Sequence, residues 1–204
     1  MSSLLDGATS ERLPLASYYA EFETNYWRSA DLGFWKLERQ QTFKEPGYDS
    51  WEAFSRGDWK ESLRLLEAGR EEMTQYHQKG REHGFASRRI RVVEEPLSPY
   101  MQWELHALRV RAESGGPIHV IDADKVVQYE SGGLLPEIYT LGSHVMYEAV
   151  YDERGVLEAA RKYVDRDLIL RCQRFIEGLY RAGEPLLDWF DGHVAHLPPP
   201  PAQT

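Results

Sequence analysis

Cysteine, basic charge and long hydrophobic runs are all scarce in this sequence. A single cysteine, Cys172, occurs among 204 residues, which excludes an internal disulfide and any zinc site built from several thiolates. No run approaches the roughly 18 apolar residues of a membrane-spanning helix, and the N-terminus lacks the basic and apolar regions of a secretory signal. We therefore expect a cytoplasmic protein that makes no contact with a membrane.

Acidic residues outnumber basic residues by 33 to 24, and the formal net charge is −9. Proteins that bind nucleic acids usually carry a basic excess, because they neutralise phosphates. Direct binding of nucleic acid is therefore not expected. The exception would be a local basic patch formed by Arg88, Arg89, Arg91, Arg109 and Arg111. The last two arginines do not share a helix face, which weakens this alternative.

Motifs that would identify a cofactor, a metal or a catalytic nucleophile are also missing. The seven histidines form no His-x-x-x-His or His-Glu-x-x-His pair, so a helical zinc site is not expected. No Gly-x-Gly-x-x-Gly fingerprint, phosphate-binding loop or Gly-x-Ser-x-Gly elbow occurs. We expect no metal and no cofactor, and whether the chain is an enzyme stays open.

The composition, with 42% hydrophobic and 28% charged residues, is typical of one globular domain. We expect a flexible tail over residues 1–14, a single globular α/β domain over 15–192, and a Pro-rich flexible tail over 193–204. An aromatic helix near the start of the domain makes a homodimer possible, because aromatic residues are enriched in interface cores.

Hydrophobic periodicity predicts helices that alternate with strands early in the chain and a meander of strands later. Strands are expected near residues 35–39 (where a helix is the alternative), 88–93, 118–122, 135–141, 144–151 and 156–164. Helices are expected over 15–30, from residue 49 or 50, from 58 to about 80, and over 98–115, 124–129 and 165–183. This order predicts an α/β (α+β) fold with a single mixed β-sheet of about five to six strands, helices packed on it, and an N-terminal aromatic helix.

The densest group of charged and aromatic residues lies on the predicted strand at 88–93 and the helix after it. Two arginines project to one face of that strand, while two aromatics and a glutamate share one face of the helix. Arginines beside aromatic rings can clamp an anionic or planar ligand. The alternative is a structural ion pair that ties the helix to the strand, for example between the second arginine and the glutamate. The candidate ligand-binding residues are Arg89, Arg91, Tyr100, Trp103 and Glu104.

Three stretches of the chain resemble a known family: WKLE at 35–38, RIRVV with PLSPYMQWEL at 89–105, and PIHVID at 117–122. The pattern is similar to an uncharacterised actinobacterial domain family whose genes often lie beside Xre-type helix-turn-helix regulators. The resemblance covers about residues 33 to 190 and implies a role beside such a regulator. It implies no catalytic mechanism. The chain also has His119 where many relatives carry arginine.

Two functions follow from these observations. The first is a non-enzymatic regulatory, interaction or ligand-sensing domain, whose partner is a helix-turn-helix regulator or a small anionic ligand. The alternative is a small enzyme of secondary metabolism that acts on a nucleotide-like or acyl substrate. That enzyme would hold the anion with Arg89 and Arg91 and would use Glu104 or His119 as the acid/base group, in a pocket where these groups converge. The alternative requires Glu104 and His119 to lie on the same side of the sheet.

Overall fold

The centre of the protein is a mixed β-sheet of eight strands, seen in a computed structural model that describes residues 4–201. In chain order the strands are β1 Glu11–Pro14, β2 Phe34–Glu38, β3 Ser87–Val93, β4 Ile118–Asp122, β5 Ile138–Leu141, β6 Val145–Tyr151, β7 Leu157–Tyr163 and β8 Glu184–Pro185. Their order across the sheet is β1-β7-β6-β5-β2-β3-β4-β8. β2, β3 and β4 are parallel, and the remaining neighbours are antiparallel.

Seven α-helices within the described residues surround the sheet. They are α1 Leu15–Tyr26, α2 Asp49–Ser55, α3 Trp59–Ala68, α4 Arg70–Glu82, α5 Pro99–Glu113, α6 Arg166–Ala182 and α7 Leu186–His193. Side chains cap three of them: Asp58 accepts from the backbone of α3, Ser98 from α5 and Asp165 from α6, as N-cap chemistry predicts. None of the helices described combines the length and the hydrophobicity that a bilayer crossing needs.

The predicted fold class is confirmed, and the hairpin between β6 and β7 forms around residues 152–155. Two edge strands were not predicted. Residues 11–14 were expected in a flexible tail, but they form β1 and pair with β7 because Leu13 is buried at 4% exposure. β8 is only two residues long and forms beside β4. Both strands depend on partners distant in sequence, so local periodicity does not reveal them.

Two predicted helices also differ from the structure. The helix expected from residue 58 to about 80 is divided into α3 and α4 at Gly69, whose backbone N–H bonds to the carbonyl of Leu66 and closes the first helix. The short helix expected at 124–129 is a pair of 3-10 turns, Ala123–Lys125 and Val127–Tyr129. Neither difference changes the order of the sheet.

The two faces of the sheet bury different kinds of side chain. Trp35 and Leu37 of β2 join a hydrophobic core beneath α6. Phe34 joins a second core on the opposite face, together with the aromatic residues of α1, while α5 and α7 cover β3 and β4 on that same face. Because side chains alternate along a strand, Lys36 and Glu38 also project to the α1 side. The central strand therefore carries charge into the interior.

One ion pair joins α5 to the middle of the sheet. Arg91 on β3 is fully buried, and its Nε and Nη2 lie 2.9 and 2.8 Å from Oε2 of Glu104 on α5. Its remaining N–H groups donate to the backbone carbonyls of Val92 and Gln40. The guanidinium of Arg91 thus finds its hydrogen-bond partners within the protein, and Arg91 and Glu104 form a structural ion pair.

We expect Arg91→Met to lower the free energy of unfolding by about 3–5 kcal/mol, because Glu104 would stay buried without its counter-ion. Urea denaturation measures the change. The matched control is Arg64→Met, which removes an exposed pair with Glu61 three residues away on α3 and should change stability little. Similar losses in the two variants would contradict a special role for the buried pair.

Candidate functional site

A cavity of about 230 Å³ lies between α1, α4, α5 and the inner face of the sheet. We call it the α1 cavity. Its walls are largely aromatic, and it is also lined by three basic side chains, Lys36, Arg89 and Arg111. The aromatic residues around it are Tyr18, Phe22, Tyr26, Phe34, Tyr76, Tyr139 and Tyr151. Aromatic walls with a few convergent polar groups are typical of small-molecule sites.

The sheet register brings two of these basic residues together. Lys36 of β2 lies directly beside Arg89 of the parallel strand β3, and Tyr139 of β5 lies on the other side of Lys36. Because neighbouring residues in register point to the same face, the three side chains form one row across the floor of the cavity. Arg111 reaches the same space from the last turn of α5.

A buried carboxylate holds the two basic residues of the floor. Glu38 lies two residues after Lys36 on β2, with its Oε1 at 2.6 Å from Lys36 Nζ and its Oε2 at 2.8 Å from Arg89 Nη1. Burial raises the pKa of Glu38, but Arg89 and Lys36 outweigh burial and lower it to about 2. Glu38 is therefore ionised at neutral pH and offsets one of the two positive charges.

Arg111 has no such partner. Among the described residues it makes no hydrogen bond and no ion pair, although it is only partly exposed. Burial and the nearby Arg89 lower its pKa to about 10, so the guanidinium is still protonated at neutral pH. A guanidinium that is partly removed from water and not paired is costly, and an anion in the cavity would supply the missing partner.

Of the five predicted ligand-binding residues, only Arg89 lines the α1 cavity. The others are buried and hydrogen-bonded within the protein. Tyr100 donates to Glu45 Oε1 at 3.1 Å, Trp103 donates to Ser50 Oγ at 3.1 Å, and Arg91 pairs with Glu104. Tyr100 and Trp103 belong to a hydrophobic core that packs against Tyr151 of the cavity wall.

The two residues of the enzyme alternative do not meet. His119 of β4 stacks on Tyr180 of α6 with ring centroids 3.8 Å apart, and its Nδ1 lies 2.7 Å from the Tyr180 carbonyl oxygen. Glu104 lies on the opposite face of the sheet, against Arg91. The sheet separates them, so they cannot act on one substrate as an acid–base pair. Nor do three or more His, Cys, Asp or Glu side chains converge as a metal site anywhere in residues 4–201.

Sequence analysis did not select Lys36, Glu38 or Arg111 as site residues. Lys36 and Glu38 belong to the stretch that carries the family resemblance, and their alternation with Trp35 and Leu37 is visible in the sequence. Two charges on the inner face of a central strand are unusual. This was the signal that could have identified the site. Arg111 was noted only as part of a basic patch, because its isolation depends on the tertiary fold.

A further buried carboxyl lies beside this group, just before β5. Glu137 Oε1 accepts the backbone N–H groups of Arg39 and Gln40, both at 2.6 Å, while its Oε2 is buried without a hydrogen-bond partner in the described structure. Burial raises the pKa of Glu137 to about 7, against the opposing effect of Arg91. Its charge therefore changes near neutral pH.

The raised pKa of Glu137 predicts a pH dependence of stability. The folded protein binds this proton more tightly than the unfolded chain, whose value is near 4.5. The contribution is therefore complete below pH 4.5 and is lost as the pH rises through 7. At 1.36 kcal/mol per pKa unit, the loss is on the order of 3 kcal/mol. Glu137→Gln should remove it, since the amide oxygen can still accept both N–H groups.

Chemical denaturation from pH 4 to 8 tests this. Burial lowers the pKa values of His77 and His106 to about 4. Their contribution to the free energy of unfolding therefore has the opposite pH dependence and decreases as the pH falls below 6.5. Both histidines are present in both proteins. The difference in the free energy of unfolding between wild type and Glu137→Gln therefore reports the titration of Glu137 alone. Parallel pH–stability curves would show that Glu137 does not titrate as described.

Comparison with known proteins gives a family but no activity. No curated protein matches the chain. One family model, described as a domain of unknown function (DUF6879), matches residues 20–191. The match includes every residue named above as lining the α1 cavity except Tyr18, and it covers most of the chain. The chain therefore belongs to the DUF6879 family of uncharacterised domains.

Proposed function

We propose that the chain is a non-enzymatic ligand-sensing domain that binds a small anionic ligand in the α1 cavity. The observation that carries the proposal is the charge balance of the cavity. Lys36, Arg89 and Arg111 line it, and Glu38 pairs with only the first two. An anion that reaches Arg111 would pair with a guanidinium that has no hydrogen-bond or ion-pair partner in the described part of the chain.

The aromatic walls and the ion-paired floor of the α1 cavity both favour the binding of an anion. Aromatic walls reduce the local dielectric constant, which strengthens an ionic hydrogen bond relative to one in water. The floor is already organised, because Glu38 fixes the positions of Lys36 and Arg89 before any ligand arrives. A preorganised site loses less conformational entropy on binding.

Two features support sensing rather than catalysis. The acid–base pair of the enzyme alternative is divided by the sheet, as described above. In addition, α1 forms one wall of the cavity. It is attached to the sheet by its aromatic core residues and by polar contacts of Asn25 with Tyr147 and of Glu21 with Lys162. A ligand beneath α1 would act on the position of an outer helix, which is a means of passing a signal to a partner.

The proposed receiver of that signal is a helix-turn-helix regulator, as the resemblance to an actinobacterial family encoded beside such regulators implies. The net charge of −9 is complementary to a basic DNA-binding protein, and such complementarity favours association. Under this proposal the chain contacts the regulator and not the nucleic acid.

Thermal unfolding with phenyl phosphate and with benzoate tests the proposal. At about ten times its Kd, a ligand should raise the unfolding midpoint of the wild type by roughly 3–6 °C. Arg111→Met should abolish the shift. Arg109→Met is the matched control, since Arg109 lies on the same helix but contacts Glu67 outside the cavity. Mass spectrometry should recover the ligand unchanged after long incubation.

An equal shift in Arg111→Met and wild type would place binding elsewhere and contradict the proposal. Conversion of the probe into a product by wild type, absent in Arg111→Met, would instead favour the enzyme alternative.

A further inference from the structure

We propose that the ligand of the α1 cavity is an aryl phosphate, a phosphate monoester that carries a single aromatic ring. The phosphate would lie between Arg89 and Arg111, and the ring would lie among the aromatic side chains of α1 and β5. This inference rests on the proposed function and specifies the chemical class of its ligand.

The charge of the cavity selects the anionic group. Lys36, Arg89 and Arg111 carry three positive charges against one on Glu38. A second carboxylate, Glu45, lies near Lys36; burial raises its pKa, and it accepts a hydrogen bond from Tyr100. The surplus is therefore between one and two positive charges. A phosphate monoester carries about −1.5 to −2 at pH 7, whereas a carboxylate carries only one negative charge.

The donors also suit a phosphate. Arginine presents a planar fork of N–H groups that matches two oxygens of one phosphate. Arg111 has its whole fork available among the described residues. Arg89 contacts Glu38 through Nη1. The other N–H groups of its guanidinium make no hydrogen bond or ion pair within residues 4–201, so they can contact a second face of the ligand. Two forks from different elements can share the three terminal oxygens of a phosphate monoester.

The walls of the cavity suit an aromatic ring. Phe22 of α1 and Tyr139 of β5 meet edge to face, with ring centroids 5.8 Å apart. Tyr139 donates its hydroxyl proton to Tyr18 at 2.6 Å, so the donor of Tyr139 is used within the protein. The ring faces and edges that line the cavity favour offset or edge-to-face contact with another ring.

The volume sets the size of the ligand. Pockets for drug-sized molecules usually measure about 300–1,000 Å³, and the α1 cavity measures about 230 Å³. A phosphate with one ring is of suitable size, whereas a nucleotide, with a sugar and a base, would extend beyond the cavity.

Calorimetric titration of the full chain with four probes tests the inference: phenyl phosphate, benzoate, inorganic phosphate and phenol. Phenyl phosphate should bind at least about tenfold more tightly than each of the others, since it alone uses both the cations and the rings. Arg111→Met should weaken phenyl phosphate by about tenfold or more, while Arg109→Met should not. Circular dichroism establishes that each variant is folded.

A second variant tests the ring independently of charge. Phe22→Leu should weaken phenyl phosphate several-fold and leave inorganic phosphate unchanged, because only the former uses the aromatic wall. If Arg111→Met does not fold, Arg111→Lys replaces it; it keeps the charge but loses the fork, and should bind phenyl phosphate more weakly than wild type.

The outcomes separate this inference from the proposed function. Benzoate that binds as tightly as phenyl phosphate, with the same dependence on Arg111, would overturn the aryl phosphate and leave anion binding intact. If inorganic phosphate binds as tightly as phenyl phosphate, the aromatic ring of the ligand does not contribute to binding. Binding of no probe, or binding that ignores Arg111, would overturn both.

Discussion

The ion pairs of Glu38 determine how charge is distributed inside this protein. A central strand between two neighbours normally presents apolar residues to both cores, yet β2 presents Lys36 and Glu38 to the α1 side. Glu38 makes this possible, because it balances Lys36 on its own strand and Arg89 on the next. Without it, Lys36 and Arg89 would lose the one carboxylate that the described structure shows in contact with both. The basic floor of the cavity therefore depends on that carboxylate.

Beside this group lies a second, self-contained set of charges. Arg91 and Glu104 satisfy each other and join α5 to the sheet. The contrast between Arg89 and Arg91 is instructive, since the two arginines are separated by one residue and point to the same face. Arg91 is buried against Glu104 and joins two elements of the fold, while Arg89 lines the α1 cavity. The difference comes from α5, which brings Glu104 against Arg91 but brings Arg111, a second cation, toward Arg89.

Much of the architecture was accessible from the sequence. Six strands, the mixed sheet and the caps at Asp58, Ser98 and Asp165 follow from patterns that span a few residues. The edge strands β1 and β8 did not, because each forms only against a partner far away in the chain. The same limit applied to the site. Periodicity placed Arg89 and Arg91 on one face. It could not reveal that Arg89 pairs with Glu38 beside a cavity while Arg91 pairs with Glu104 in the interior, nor that Arg111 makes no ion pair within residues 4–201.

The central claim is that an anion binds between Arg89 and Arg111, and a crystal of the protein soaked in tungstate tests it most directly. Tungstate resembles phosphate in shape and charge, and its tungsten atom is located by anomalous scattering. The account predicts an anomalous peak in the α1 cavity, with tungstate oxygens within hydrogen-bond distance of both guanidinium groups. Peaks found only at exposed arginines, with the cavity empty, would contradict it.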